Sequence, residues 1–530
     1  MQFRNIVIAL ILIIILIIIL KILKHKKKKV ILEIGPSLKD KGGMATVMSQ
    51  IYSSHLKDKY NIKHISTYID GKKFCLFFLA TFRILIYKLI YRIELAHIHS
   101  ASFGSFYRKS IISSICKVVG IKTIMHIHGA CFEEFFNNLN PKKQKYIKKV
   151  LNQSEKIIVL SESWKKFFEK LVDSEKIEVM YNSVKVPEVI ERKESKEIYT
   201  GLLLGRIGKR KGIYDVIEAV KELKKENINV KIIIAGDGEV DKAKNLVNEE
   251  KLQDNIEIIE WLDEEKKKEY LKKSDFYILP SYNEGLPMSV LEAMSFSLPV
   301  ITSDVGGIPE IIHNKENGIL IKPGNIKSIK ESIKIIISNK EYREKLSKNA
   351  YKTIKEQFNL EKYLEKLEKI YLEIKKKNIK LCLCSSAGGH FMQLKQLFKM
   401  SEKYNTFILT EKNEIAKGYS KKYKVRYLMQ QERKNISFIL EFIFNFLKAI
   451  YVAIWYNPDV IISTGAGATT FVCLFIKLLG GKVIYIESFA KINSPTITGR
   501  IIYKFADDFY VQWEEMKKFY PKAHYDGEIY

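Results

Sequence analysis

The chain has 530 residues, a length that holds about three domains of roughly 150 residues with cores of ordinary size. Its formal charge of +29 raises the question of a nucleic-acid partner, yet no recognisable nucleic-acid module is present, and lysine and isoleucine are abundant throughout, as an AT-rich genome gives without selection for binding. A basic balance serves an anionic membrane leaflet and diphosphate substrates equally well, so no nucleic acid is expected.

Ile6 to Leu20 is an unbroken apolar run, extended by Ile22 and Leu23 and followed by Lys24-His25-Lys26-Lys27-Lys28-Lys29. A helix from Asn5 to Leu23 would be about 28 Å long, close to the hydrocarbon thickness, which predicts one membrane span. A cleaved signal peptide fits less well, because no small-residue cleavage site follows and the charge lies after the run. By the positive-inside rule the lysines and everything after them are cytoplasmic, which makes a single-pass protein of the cell membrane.

Short continuous apolar strands then alternate with amphipathic helices, as in parallel sheets covered on both faces. Val30 to Ile34, His97 to His99, Thr123 to His128 and Ile157 to Leu160 read as strands. Gly42-Gly43 follow the first of these and open a helix, while His128 ends the strand of KTIMHIHG. Phe74 to Tyr91 is rich in Phe, Ile, Leu and Tyr but is interrupted by Arg83 and Lys88, so it is either a buried helix or one lying in a membrane interface. A charged, poorly apolar stretch, Glu188 to Glu197, reads as a linker. GLLLGRIGKRKG is a strand followed by a basic turn carrying Arg206 and Lys211, and IIIAGDGE and DFYILPSYNEG read as further strands.

Leu279 to Ile312 sets Glu284 and Glu292 eight residues apart across the turn Gly285-Leu286-Pro287. Pro287 suits the first turn of a helix, and Met288 to Phe296 supplies an apolar helical run with Glu292 in its middle. A carboxylate among Val290, Leu291, Ala293 and Met294 costs several kcal/mol, roughly, without a partner, and a polyhydroxyl ligand would be one. Glu284 stands where the positive helix end faces an anionic ligand such as a pyrophosphate. Sugar-reading carboxylates beside a phosphate site suggest a nucleotide-sugar enzyme.

This block resembles the E-x7-E signature of retaining glycosyltransferases of family 4, which have the GT-B fold of two facing Rossmann-like domains. The likeness covers roughly residues 30 to 375. It implies that Arg206 and Lys211 clamp the donor diphosphate, Gly42 and Gly43 approach the phosphates, and His128 is an active-site histidine that orients the sugar. It further implies that Glu292 binds the ribose hydroxyls and that Glu284, with Gly285 beside it, holds the donor sugar's hydroxyls. Retention follows from same-face attack. No Asp-x-Asp metal motif is evident, so no metal and no cofactor beyond a UDP- or GDP-linked sugar are expected. Each residue also has a plain reading: a solvated basic turn, a strand-end histidine satisfied by backbone, glutamates paired with nearby lysines. A lysine-rich helix, Leu360 to Lys377, ends the donor domain.

A fresh strand-turn-helix pattern begins after Lys377 with IKLCLCSSAGGHFMQL. Cys382 and Cys384 alternate on its strand, too close for an easy disulfide and without a second pair for zinc, so the six scattered cysteines read as reduced thiols. PDVIISTGAGATT repeats the strand-to-glycine turn, and KVIYIESFAKINSPTITGRIIYKFADDFYVQW follows. Ile436 to Trp455 is a second aromatic stretch, broken by Glu441 and Lys448. Together these resemble the membrane-anchor subunit of the two-part UDP-N-acetylglucosamine transferase of dolichol-linked oligosaccharide assembly, and more closely its bacterial capsule and exopolysaccharide counterparts. The resemblance implies that Gly388, Gly389, His390 and Glu487 line an acceptor cleft. It also implies a separate donor-binding subunit, since only the acceptor half of a GT-B site is recognised. For His390 a helix-start role satisfying backbone carbonyls stays open beside a chemical one.

The expected fold class is therefore α/β: a transmembrane anchor over 1–24, a GT-B acceptor domain over 25–195, a donor domain over 196–377, and a third Rossmann-like half-GT-B domain over 378–530. The expected function is transfer of a sugar, with retention, from a nucleotide sugar to a polyprenyl-diphosphate-linked oligosaccharide in capsule, exopolysaccharide or lipopolysaccharide synthesis. A diacylglycerol-type glycolipid acceptor, and a non-catalytic membrane scaffold for 378–530, are the alternatives.

Overall fold

A computed structural model describes residues 28–68, 73–187, 198–430 and 438–527. The expected anchor over 1–24 and the linker Glu188 to Glu197 lie outside these residues. Among the described residues no helix is long and apolar enough to cross a membrane. Two compact units divide the chain, one built from residues 30–89 and 93–369 and the other mainly from residues 370–530.

The first unit holds two six-stranded sheets. Strands β1 (Lys29–Pro36), β2 (Ile62–Tyr68), β3 (Arg92–Ser100), β4 (Thr123–Ile127), β5 (Lys156–Val159) and β6 (Ile177–Val179) make a sheet of order β2-β1-β3-β4-β5-β6. Strands β7 (Tyr199–Leu204), β8 (Val230–Ala235), β9 (Ile256–Ile259), β10 (Phe276–Leu279), β11 (Val300–Ser303) and β12 (Ile319–Ile321) make one of order β12-β11-β10-β7-β8-β9. Its ladders run parallel, and β10 is buried at all four positions, because helices cover both faces. In each sheet the order reverses once, between β1 and β3 and between β7 and β10. A parallel sheet opens a crevice at such a point, beyond the carboxyl ends of the strands.

The helix Leu360–Asn378 begins in the first unit, where Tyr363, Leu364 and Leu367 are buried and Glu368 accepts hydrogen bonds from Tyr60 and Lys59 at 2.6 Å each. The second unit carries the third sheet, of order β15-β14-β13-β16-β17-β18: β13 (Lys380–Cys384), β14 (Asn405–Glu411), β15 (Val425–Leu428), β16 (Val460–Ser463), β17 (Lys482–Ile486) and β18 (Asp508–Tyr510). Its reversal falls between β13 and β16. Cys382 and Cys384 are free thiols in its core.

Both aromatic stretches are helical and only part-buried. Lys73–Ile90 leaves Phe78, Leu79, Phe82 and Leu85 exposed, with Phe82 at 61%. Phe438–Tyr451 runs into a π-helical turn, Val452–Tyr456, and exposes Phe442, Ile443, Phe444, Leu447, Tyr451 and Trp455, the last at 71%. Ile436 and Ser437 lie outside the described residues.

Candidate active site

The carboxyl ends of β7 and β10 bring the donor-half residues together. Beyond β7 the chain makes the basic turn Lys209–Lys211 and then enters the helix Ile213–Lys225. Gly212 joins them at φ 70°, and a Cβ there would meet the Pro280 carbonyl oxygen at 2.2 Å, so the turn sits against the loop after β10 only because residue 212 has no side chain. That closeness puts Lys211 Nζ 2.5 Å from Glu284 Oε1, with the Ser281 hydroxyl donating to the same oxygen at 2.8 Å. Arg210 donates to the Asn283 carbonyl at 2.9 Å and stands 3.7 Å from Glu284. Glu284 is 7% exposed, a buried carboxylate held by one lysine and one hydroxyl. The Tyr277 hydroxyl donates to Leu204 at 3.2 Å and ties β10 to β7 beneath this group.

The helix Met288–Ser295 starts directly after Pro287 and carries Glu292. Glu292 is paired with Lys267 Nζ at 2.7 Å, and its side chain is 14% exposed. Burial raises its pKa, against the lowering effect of Lys267. Arg206 is exposed just past β7, where its charge helps hold the exposed Glu239 below the usual carboxylate range, after the hydrogen bonds from Tyr214 and Lys242. Both signature glutamates are thus lysine-paired in the chain itself.

On the side of the first sheet, Gly42 and Gly43 form the start of the helix Gly43–Tyr52, with Gly42 at φ 117°. A Cβ on Gly43 would lie 3.4 Å from Met288, which sets the glycine pair against the start of the donor-half helix. His128 follows β4, its N–H donating to the Ser100 carbonyl at 2.7 Å and its Nε2 hydrogen-bonded to His99 Nδ1 at 3.0 Å. Burial holds its pKa down to about 3, so the ring is neutral. A Cβ on Gly285 would be 3.5 Å from the His128 carbonyl oxygen and 3.4 Å from Trp164. His128, Gly42, Gly43 and the Glu284-Gly285 loop therefore border one cleft.

Residues that sequence reading left unassigned hold this cleft together. Glu310 accepts from the Glu162 N–H at 2.7 Å, the Ser163 N–H at 2.9 Å and the Tyr181 hydroxyl at 2.9 Å, a carboxylate from the domain of the second sheet on the first turn of the helix Glu162–Phe168 in the domain of the first. Asn182 donates to the Leu286 carbonyl at 2.6 Å. Glu310 lies within GGIPEII, but its partners are well over a hundred residues away, and no local spacing marks them.

In the third sheet the turns after β13 and β16 meet at the reversal. Gly388 and Gly389 are exposed at the start of the helix Gly389–Lys395, and Ser386 N–H donates to Gly465 at 2.8 Å. His390 Nδ1 is 2.7 Å from the Thr464 carbonyl oxygen, which can only accept. Nδ1 therefore carries a proton, and in the neutral ring Nε2 is the acceptor. Glu487 follows β17 at its carboxyl end. It is 1% exposed and accepts from the Ser488 N–H at 2.8 Å, the Thr496 hydroxyl at 2.9 Å and the Tyr520 hydroxyl at 2.7 Å. Such a satisfied carboxylate ties the segment after β17 to the C-terminal turns.

Comparisons with known proteins agree with this division. Residues 28–186 match the profile described as Glycosyltransferase Family 4, residues 187–353 that of glycosyl transferases group 1, and residues 382–529 that of oligosaccharide biosynthesis protein Alg14 like. An uncharacterized glycosyltransferase of Methanocaldococcus jannaschii is 30% identical over 267 residues, 47% of this chain and 68% of that protein. The Escherichia coli UDP-Gal:alpha-D-GlcNAc-diphosphoundecaprenol alpha-1,3-galactosyltransferase is 27% identical over 317 residues, 54% of this chain and 78% of the relative. Among solved structures, sucrose-phosphate synthase from Thermosynechococcus elongatus shares the fold at a TM-score of 0.55 and 16% identity, covering 64% of this chain and 98% of that one. The chain belongs to the family 4, group 1 glycosyltransferases of GT-B architecture, and continues into an Alg14-like domain.

Proposed function

We propose that the chain moves a sugar from a UDP- or GDP-linked donor, with retention, to a polyprenyl-diphosphate-linked oligosaccharide in the assembly of a capsular, exported or lipopolysaccharide glycan. The observation that carries this reading is the convergence of Lys211, Arg210, buried Glu284 and the start of the helix Met288–Ser295 at the β7/β10 reversal. Cations and free N–H groups so grouped suit a diphosphate, and buried carboxylates suit sugar hydroxyls.

Arg206, Lys211 and the helix end stabilise the charge of the departing nucleoside diphosphate, the service a metal performs in other transferases. Glu292 binds the ribose, Glu284 and Gly285 the donor sugar, and neutral His128 orients that sugar across the cleft. An acceptor hydroxyl attacks the anomeric carbon from the face the diphosphate leaves. The bond to the phosphate oxygen breaks as the new glycosidic bond forms, and the hydroxyl proton passes to the departing phosphate.

The lipid acceptor is supported by the substrate named for the E. coli relative and by the exposed apolar faces of Lys73–Ile90 and of residues 438–456, which suit the membrane interface. With an N-terminal anchor over 1–24, the domains would sit on the cytoplasmic side. The Alg14-like domain offers His390 Nε2 between two glycine turns and, in this reading, joins a separate donor-binding subunit. A diacylglycerol-type acceptor is the alternative for the first site and a non-catalytic scaffold for the second.

The test is a membrane-fraction assay with a panel of UDP- and GDP-sugars and polyprenyl-linked acceptors, the lipid product identified by mass spectrometry. Calorimetry on Glu292→Gln accompanies it, with donor affinity expected to collapse while the fold persists. Unchanged affinity removes the ribose role, and a diacylglycerol product replaces the acceptor.

A further inference from the structure

A polar layer inside the acceptor half stands apart from the donor-binding residues. Side chains alternate along a strand, so His97 and His99 of β3 share one face, and the β3–β4 register sets His126 opposite His99 on that face. All three are at 0% exposure, and their ligand nitrogens lie within 4.8 Å of one another. His97 Nε2 and His126 Nδ1 are 3.2 Å apart. On β1, Glu33 is equally buried, its Oε1 3.7 Å from His99 Nε2. Neither Glu33 oxygen has a hydrogen-bond partner, nor does His99 Nε2 or His126 Nε2.

A row of hydrogen-bonded neutral imidazoles accounts for the His97–His126 and His99–His128 contacts. It gives nothing to Glu33 or to the remaining nitrogens of His99 and His126. Buried polar atoms are rarely left so, and here they cluster around one point. We propose that Glu33, His97, His99 and His126 bind a divalent transition-metal ion of the zinc type, a site separate from the donor diphosphate.

The donor set fits. Three imidazoles and one carboxylate are ligands that zinc, cobalt and nickel accept, and a tetrahedron with metal–nitrogen bonds of about 2.0–2.1 Å has ligand edges of about 3.3 Å. His97 Nε2 and His126 Nδ1 already stand at such an edge, so His126 ligates through Nδ1, and the unpartnered atoms the ion serves are His99 Nε2 and the Glu33 oxygens. Burial brings His97 down to about 3 and holds His99 and His126 well below the usual histidine range, so the rings are in the neutral form that ligates. Burial pushes the Glu33 carboxyl the other way, toward its protonated form, and a dication beside it reverses that preference. With His99 bound through Nε2, its Nδ1–H donates to His128 Nε2 at 3.0 Å, so the ion fixes the tautomer of the cleft histidine. That last link rests on the function proposed above; the metal site does not.

The experiment uses the full-length protein, purified without chelator and analysed for metal by inductively coupled plasma mass spectrometry. The same protein, unfolded with chelator and refolded with Zn²⁺ or Co²⁺, is then followed by metal content, thermal unfolding and the visible spectrum of Co²⁺. About one equivalent of metal per chain, a raised unfolding temperature and tetrahedral cobalt bands are expected. Glu33→Gln and His126→Ala should each weaken Co²⁺ binding by about tenfold or more, circular dichroism of Glu33→Gln showing the fold retained. Metal-free protein both as purified and after refolding with either ion overturns the proposal, as does equal binding by wild type and both variants. Metal content is read without sugar transfer, so its failure is distinguishable from failure of the transferase reading.

Discussion

A carboxylate as buried as that of Glu284 persists only while its partners do, and Lys211 is the charged one at closest range. Lys211→Met should cost about 3 kcal/mol of stability, by leaving a buried charge with only Ser281 and the more distant Arg210. Adding Glu284→Gln should return most of that loss in urea unfolding while transfer activity stays absent; recovered activity in the double variant would show the pair to be purely structural. Lys109 offers a pH-dependent case. It is 2% exposed on the helix Gly104–Val118, donates to the Thr67 hydroxyl, and burial, with Arg108 adding to it, brings its pKa down to about 7. Below that pH the lysine is protonated whether folded or unfolded and its desolvation opposes folding in full. As pH rises toward the unfolded value of about 10.4, the folded state alone gives up its proton, so stability should increase. The stability of wild type relative to Lys109→Met should climb by on the order of 2–3 kcal/mol between pH 7 and pH 9, and a flat difference would place the ammonium in a more polar setting.

Strands and turns were legible in the sequence where burial is complete and illegible at the sheet margins. Central strands such as β1, β4 and β10 are mostly apolar runs, interrupted by Glu33 in β1 and His126 in β4, because both faces are covered. β2 and β6 stand at the edges of the first sheet, where IKHISTY alternates and IEV is too short to register. The signature helix was readable from Pro287 and its apolar run, and Lys211 from its basic turn; Lys267, Glu310 and Asn182 were not, since their partners come from distant elements. The strand-end position of Glu487 is visible in the sequence, whereas the Thr496 and Tyr520 hydroxyls that donate to it come from segments no local spacing marks. Glu310 is the element-scale test. Its carboxylate joins the donor half to the first turn of Glu162–Phe168, so Glu310→Ala frees two N–H groups and one hydroxyl spanning the halves. We expect kcat/KM to fall about tenfold or more, with Glu310→Gln falling less because one acceptor oxygen remains. Equal kinetics for wild type and Ala would mean that the halves are held together by other contacts.

At the scale of the whole molecule, the membrane association proposed above would have more than one source. Deleting residues 1–23 removes the anticipated span but leaves the exposed apolar faces of Lys73–Ile90 and Phe438–Tyr451 on a basic protein, so the truncated chain should stay on anionic vesicles at low salt and leave them at high salt. Resistance to both salt and carbonate would point to a further inserted segment.

The described residues form three six-stranded sheets, whereas a GT-B site is made by two. The first two sheets share one compact unit and border one cleft; the third has its own unit, with His390 and its glycine turns at the β13/β16 reversal. In the reading proposed here the third sheet takes its nucleotide site from another polypeptide, and the two sites become separable by substitution in the full-length chain. Glu292→Gln should abolish the first transfer and leave a second, seen only on coexpression with a small Rossmann-like donor-binding subunit recovered from native membranes by pull-down. His390→Ala should reduce that second transfer and leave the first. Partner binding would cover exposed apolar surface such as Leu478, Ile497 and Ile501, so coexpression should also raise the yield of dispersed protein. Should Glu292→Gln remove all transfer with the partner bound, or the chain alone perform both reactions, the half-site account of residues 378–530 fails and the scaffold reading or a self-sufficient site takes its place.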